Sequence, residues 1–218
     1  MKLEGIKINF LGDSITEGVG CTDAAHTFAA LIAAEYGVVC RNYGVGGTRI
    51  ARQSKPSLCV EHDQDFVSRV EGMAPDADVV AVFGGTNDFG HGDAPLGTME
   101  SRSVYTFYGA LHTLYTQLIE KFPSSRIVVL TPLHRQDEKR LPDANAAQQK
   151  ELTLLDYVRI IREVAEYYAF PVLDLYVCSG LQPQVPAIAE RFVPDGLHPN
   201  DAGHRILARL IASFLERC

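Results

Sequence analysis

The sequence predicts one doubly wound α/β domain spanning residues 1–218, with three α/β/α layers around a five-stranded parallel sheet. Short β-branched runs alternate with longer segments of helical period, as in consecutive β-α units. The run 78–83 is almost entirely apolar, as expected of a strand covered on both faces. The 218 residues suffice for one core, and no linker or internal repeat interrupts them.

Local signals place each element in order. The first helix is closed by Gly37, a later helix is stopped by Pro123, and the last strand begins with Pro171, where a missing N–H costs least. The predicted strands are 6–11, 38–43, 78–83, 126–131 and 171–175, and the predicted helices are 28–36, 104–122, 152–168 and 201–215.

Composition and charge narrow the function classes. Hydrophobic residues make up 46% of the chain and charged residues 22%, as in an ordinary globular domain. The 20 Lys and Arg against 27 Asp and Glu leave a net charge of −7 without any basic run. Nucleic acid is therefore not an expected partner. A membrane span is not expected either, and the oligomeric state is left open.

The cysteines and the N-terminus predict a cytoplasmic protein. The cysteines are odd in number and widely spaced, and they form no C-x-x-C or Cys/His cluster, so we expect free thiols and no metal site. The first residues contain no apolar run of seven, so no signal peptide is expected. The five cysteines are Cys21, Cys40, Cys59, Cys178 and Cys218.

Glycine, hydroxyl and amide residues follow the first three predicted strands. Open α/β sheets bind ligands at the carboxyl ends of their strands. In the flavodoxin-like strand order 2-1-3-4-5, Ser14 would lie between a glycine turn and Asn87. The three segments are Gly12-Asp13-Ser14-Ile15, Gly44-Val45-Gly46-Gly47 and Gly85-Thr86-Asn87-Asp88.

A fourth segment, Asp195-Gly196-Leu197-His198, follows the last predicted strand. Its carboxylate and imidazole are three residues apart, so one turn can orient both toward the sheet edge. The connection 176–194 is long enough to return toward the first strand. A serine, an imidazole with a carboxylate, and hydrogen-bond donors would then converge.

Each motif alone also has a structural interpretation, as a cap or a turn. A phosphate-binding glycine loop is disfavoured, because Arg49 breaks the pattern G-x-G-x-x-G that Gly44 would begin. The structural interpretations together require four coincidences, so we favour catalysis. The four structural interpretations are a helix cap for Ser14 or Asp13, a tight turn for Gly44, Gly46 and Gly47, a turn for Asn87 and Asp88, and a capping pair for Asp195 and His198.

The four segments, in this order, resemble the conserved blocks of the SGNH hydrolases, also called the GDSL lipase/esterase family. Two positions depart from the family pattern. Ile15 replaces the leucine of the GDSL name, and Gly46 stands where many members have serine. The resemblance covers most of the chain and implies a cofactor-free serine hydrolase.

The resemblance also implies roles for individual residues. Ser14 would be the nucleophile, His198 the general base and acid, and Asp195 the group that orients the imidazole. The oxyanion hole would combine the N–H of Ser14, the N–H of Gly47 and the amide of Asn87. Gly47 is favoured over Gly46 because the family's donor glycine closes its block.

We therefore expect a serine esterase acting on short-chain, acetyl-type esters of small or carbohydrate alcohols. The loop 89–97 and the segment 134–149 offer few apolar residues for a long acyl chain. The alternatives are a thioesterase or lysophospholipase of the same family, a flavodoxin-like nucleotide- or ligand-binding module, and an inactive binding protein on this scaffold. The candidates for pocket lining are Asp13, Gly46, His91 and His134.

Overall fold

A five-stranded parallel sheet forms the centre of the protein. The structure, a computed structural model, describes residues 2–57, 59–140 and 152–218. The strands are β1 (Lys7–Gly12), β2 (Val39–Gly44), β3 (Val79–Phe83), β4 (Arg126–Leu130), β5 (Lys139–Arg140), β6 (Leu152–Thr153) and β7 (Val172–Leu173). The sheet order is β2-β1-β3-β4-β7, with every neighbouring pair parallel. The predicted order is confirmed; its fifth strand is β7 because β5 and β6 form a separate pair.

Helices cover both faces of this sheet. They are α1 (Ser14–Glu17), α2 (Phe28–Tyr36), α3 (Phe66–Arg69), α4 (Thr86–His91), α5 (Phe107–Lys121), α6 (Leu154–Tyr167), α7 (Leu175–Cys178), α8 (Pro186–Phe192) and α9 (Asp201–Arg217). Successive strand residues point to opposite faces. Val80 and Val82 accordingly pack with α5 and α6, whereas Phe10 and Ala81 pack with α2 and α9. The three predicted layers are confirmed.

Side-chain caps fix where the longer helices begin. Thr27, Thr106 and Asn200 accept hydrogen bonds from the first turns of α2, α5 and α9. Thr153 and Asp156 form a reciprocal capping box at the start of α6. Among the helices of the described ranges, none has the length and apolar character needed to cross a bilayer.

The structure corrects two predicted elements. The fifth strand was predicted over 171–175, but β7 holds only two residues and Leu175 already begins α7. Its end is set by Asp174, whose carboxylate accepts hydrogen bonds from Thr131 Oγ1 (3.0 Å) and Arg162 Nη2 (2.8 Å). The helix predicted over 152–168 begins at Leu154, because β6 pairs antiparallel with β5.

Candidate active site

Ser14 occupies the first position of α1, directly after β1. Asp13, not Ser14, caps this helix, since its Oδ1 accepts from the Ile15 N–H at 3.0 Å. The cap interpretation is therefore correct for Asp13 and wrong for Ser14. Gly44 at the end of β2 lets the sheet approach α1, because a Cβ there would overlap the backbone of Glu17.

A continuous chain of hydrogen bonds joins Ser14, His198 and Asp195. Ser14 Oγ lies 2.9 Å from His198 Nε2, and His198 Nδ1 lies 2.7 Å from Asp195 Oδ2. The other carboxylate oxygen accepts from the backbone N–H groups of Leu197 (2.9 Å) and His198 (2.7 Å). Burial alone would raise the pKa of Asp195, but these hydrogen bonds hold that pKa below its usual value.

Asp195 and His198 do not cap the last helix. Asn200 Oδ1 performs that function by accepting from the N–H groups of Ala202 (3.0 Å) and Gly203 (3.1 Å). The interpretation of Asp195 and His198 as a capping pair is therefore wrong. The loop before α9 instead aims its imidazole at the end of β1.

The Asn87 segment is tied to the glycine loop after β2. Asn87 Nδ2 donates to the Thr48 carbonyl at 3.0 Å, and the Asp88 carboxylate accepts from the N–H groups of Ile50 (2.9 Å) and Ala51 (2.8 Å). These partners are 37 to 39 residues away, so neither side chain merely closes its own turn. Burial raises the pKa of Asp88 to about 6.

The glycine loop places Gly46 beside the serine. A Cβ built on Gly46 would lie 3.8 Å from Ser14 Cβ. Gly47 has a φ of +72°, a conformation that favours glycine, and a Cβ there would overlap the ring of His62. Gly46 thus lets the loop pass close to Glu17 and Ser14, whereas Gly47 makes room for the ring of His62.

Two arginines, the buried Arg49 and the half-buried Arg69, brace the loops around the site. Arg69 Nη2 donates to the carbonyls of Gly12 and Tyr43, both at 2.7 Å, and its Nη1 donates to Thr48 Oγ1 at 2.6 Å. Arg49 Nη2 donates to the His62 carbonyl at 2.7 Å. The carboxyl ends of β1 and β2 are therefore linked through side chains.

The candidates for pocket lining have defined partners. His91 Nδ1 lies 2.8 Å from Arg49 Nη1, and His134 Nδ1 lies 2.6 Å from Glu138 Oε1. Burial raises the pKa of Asp13 to about 7, against the opposing effect of its hydrogen bond from Ile15. The lining role of Asp13, Gly46, His91 and His134 stays a prediction. Residues 141–149 of the polar segment lie outside the described residues.

Sequence reasoning missed two residues near the site. The ring of His62 lies against Gly47, and Arg135 bonds to the carbonyl that precedes Asn87. His62 lies in a 3₁₀ turn (Val60–Asp63), and Arg135 lies in a loop after β4. No local pattern identifies either one, because their positions depend on loop packing.

Comparisons with known proteins identify the family and the fold. The chain matches the model of the GDSL-like lipase/acylhydrolase family over residues 10–206. A solved protein from Lactobacillus plantarum is 32% identical, with 98% of both chains covered and a TM-score of 0.81. No curated protein matches the chain.

Two more distant structures share the fold. A lipase/acylhydrolase from Enterococcus faecalis is 21% identical, covering 94% of this chain and 93% of its own, with a TM-score of 0.62. A member of the lipolytic protein G-D-S-L family from Veillonella parvula is 17% identical, covering 98% and 100%, with a TM-score of 0.65.

The fold and the family match define a hydrolase of ester substrates, built on a parallel α/β sheet. The chain belongs to the GDSL-like lipase/acylhydrolase family. The resemblance inferred from the four sequence blocks is confirmed.

Proposed function

We propose that the protein is a serine esterase that works through an acyl-enzyme intermediate. The observation that carries this proposal is the hydrogen-bond chain from Ser14 Oγ through His198 to Asp195. It gives the serine a base within proton-transfer distance and gives the base a carboxylate that fixes its tautomer. A serine that only stabilised the fold would not need this arrangement.

The proposed reaction has two halves. Ser14 Oγ attacks the ester carbonyl while His198 Nε2 takes the hydroxyl proton, and the same nitrogen returns that proton to the leaving alcohol. Water, activated by His198, then hydrolyses the acyl-Ser14 ester and releases the carboxylic acid. Asp195 stays ionised and stabilises the imidazolium in both halves.

The negative charge of each tetrahedral intermediate needs donors. Ser14 is the first residue of α1, and the first N–H groups of a helix have no intrahelical acceptor. We assign the Ser14 N–H, the Gly47 N–H and Asn87 Nδ2 to the oxyanion hole. An amide nitrogen carries two hydrogens, so the Asn87 bond to Thr48 leaves one for substrate.

The experiment that tests this mechanism is covalent labelling. A fluorophosphonate probe should modify one peptide, the one containing Ser14, because only an activated serine reacts quickly. Ser14→Ala should lose labelling and esterase activity, whereas Ser124→Ala, which changes an exposed serine, should keep both. Labelling at another residue, or a fully active Ser14→Ala enzyme, would contradict the proposal.

The substrates we propose are short-chain, acetyl-type esters of small or carbohydrate alcohols. In the loop 89–97, the apolar side chains Phe89, Ala94 and Leu96 pack against the core, so they are not free to form a wall for a long acyl chain. Each buried CH₂ contributes about 0.8 kcal/mol only where apolar walls receive it.

The free state of all five thiols supports a cytoplasmic location.

We expect kcat/KM for p-nitrophenyl esters to stay level or fall from acetyl to decanoyl. Assays on that series, with acetylated sugars and acyl-thioesters alongside, measure this preference. A steady rise with chain length would indicate a lipid-binding tunnel. Faster turnover of thioesters would make the enzyme a thioesterase instead.

A further inference from the structure

Arg135 lies beside two segments of the proposed site. Its Nη1 donates to the carbonyl (3.1 Å) and Oγ1 (3.3 Å) of Thr86, the residue before Asn87. Its guanidinium lies 5.4 Å from the centre of the Phe89 ring. The next residue, Gln136, donates its N–H to the Gly196 carbonyl at 2.7 Å, within the loop that carries His198. Arg135 therefore lies between the Asn87 segment and the His198 loop.

The guanidinium of Arg135 is only partly used by the protein. A guanidinium has five N–H donors, and within residues 2–57, 59–140 and 152–218 only Nη1 of Arg135 has a hydrogen-bond acceptor. Arg49 and Arg69 differ, since both of their terminal nitrogens donate to loop groups. Arg135 as a whole is half-buried, and among the described residues its Nε and Nη2 have no hydrogen-bond acceptor.

The charge of Arg135 also lacks a direct counter-ion among the described residues. Burial lowers the pKa of Arg135, and the charges of Asp137, Glu138 and Asp13 oppose that effect without a direct ion pair. Glu138 is engaged by His134 Nδ1 (2.6 Å) and by the Tyr176 hydroxyl (2.8 Å). A partly desolvated cation without a partner is unfavourable, and a bound anion would relieve that cost.

We propose that Arg135 binds a carboxylate of the substrate through its Nε and Nη2 edge. This proposal rests on the proposed esterase function and narrows its substrates to esters that carry a second, anionic group. Two parallel N–H donors match the two oxygens of a carboxylate. The protein's net charge of −7 repels anions overall, so a local cation is needed to select one.

Two pairs of esters test this proposal, one for each side of the ester bond. With the anion on the alcohol, 4-acetoxybenzoate is compared with 4-acetoxybenzamide. With the anion on the acyl group, the mono-4-nitrophenyl ester of adipic acid is compared with 4-nitrophenyl hexanoate. In at least one pair, Arg135→Met should lower the anionic-to-neutral ratio of kcat/KM by about 10- to 100-fold, mainly through KM.

Matched variants separate binding from folding. Arg126→Met removes a positive charge at the start of β4, at the opposite sheet edge, and should leave both ratios unchanged. Arg135→Lys keeps the charge without the two-pronged edge and should give an intermediate ratio, even if Arg135→Met folds poorly. Equal ratios in wild type, Arg135→Met and Arg135→Lys would overturn the proposal. A Ser14→Ala enzyme that still hydrolyses the neutral esters would instead overturn the esterase mechanism.

Discussion

Replacing His198 with alanine is expected to lower kcat as severely as replacing Ser14, each on the order of 10⁶-fold. In the proposed mechanism the two side chains act as one unit, because the proton would pass along the 2.9 Å bond between them. Asp195→Ala should cost less, on the order of 10⁴-fold, since the carboxylate only orients and stabilises the imidazole. Its side chain is 53% exposed, so water can partly replace it.

A second histidine–aspartate pair provides the control. His26 Nδ1 lies 2.9 Å from Asp23 Oδ1 with the same three-residue spacing, but its ring contacts a threonine, not the nucleophile. His26→Ala should therefore keep nearly normal kcat. An Asp195 variant that loses far more activity than the His198 variant would contradict these roles.

Asn87→Ala should lower kcat by about 10² to 10³, or about 2.7–4 kcal/mol, with little change in KM. The neutral amide donates to the oxyanion that develops in the transition state without holding the substrate or product tightly. Asn87→Asp should be at least as harmful, because a carboxylate repels that charge. Measuring kcat, KM and Tm on the same preparations checks both variants.

Asn87 also holds the Thr48 loop, so a structural effect must be separated from a catalytic one. Asn9 provides the comparison, because its buried amide likewise donates to a backbone carbonyl, that of Ala74, at 2.8 Å. Asn9→Ala should lower Tm while kcat stays near normal. If Asn87→Ala behaves like Asn9→Ala, Asn87 is a structural residue and the oxyanion hole needs another donor.

The local sequence pattern was sufficient to predict most strands of the sheet. β1 to β4 lie within one residue of their predicted bounds at each end. For β3 and β4 the signal is an apolar run, because both strands are almost entirely buried. β7 was overestimated because its end depends on Asp174 meeting Thr131 and Arg162, contacts that periodicity does not contain. The short helix α8 was missed, although Pro186 at its first turn is a known start signal.

In the candidate site too, residues within local sequence motifs could be predicted, whereas residues placed by tertiary contacts could not. Ser14, Asn87, Asp195 and His198 belong to recognisable blocks, and strand order alone predicts that several blocks meet at one edge. The ring of His62 lies against Gly47, and Arg49 donates a hydrogen bond to the His62 carbonyl. Contacts of this kind are made by loop side chains, so no periodic pattern in the sequence predicts them.

The hydrogen bond between Ser14 and His198 joins residues 184 positions apart. Closing so long a loop costs chain entropy. That cost is offset only when the sheet and both helical layers have assembled. A partly folded chain can contain β1, α1 and an intact Ser14 and still lack its base. Enzymatic turnover of this protein therefore reports that nearly the whole chain has folded. Its helical content, in contrast, reports only on local structure.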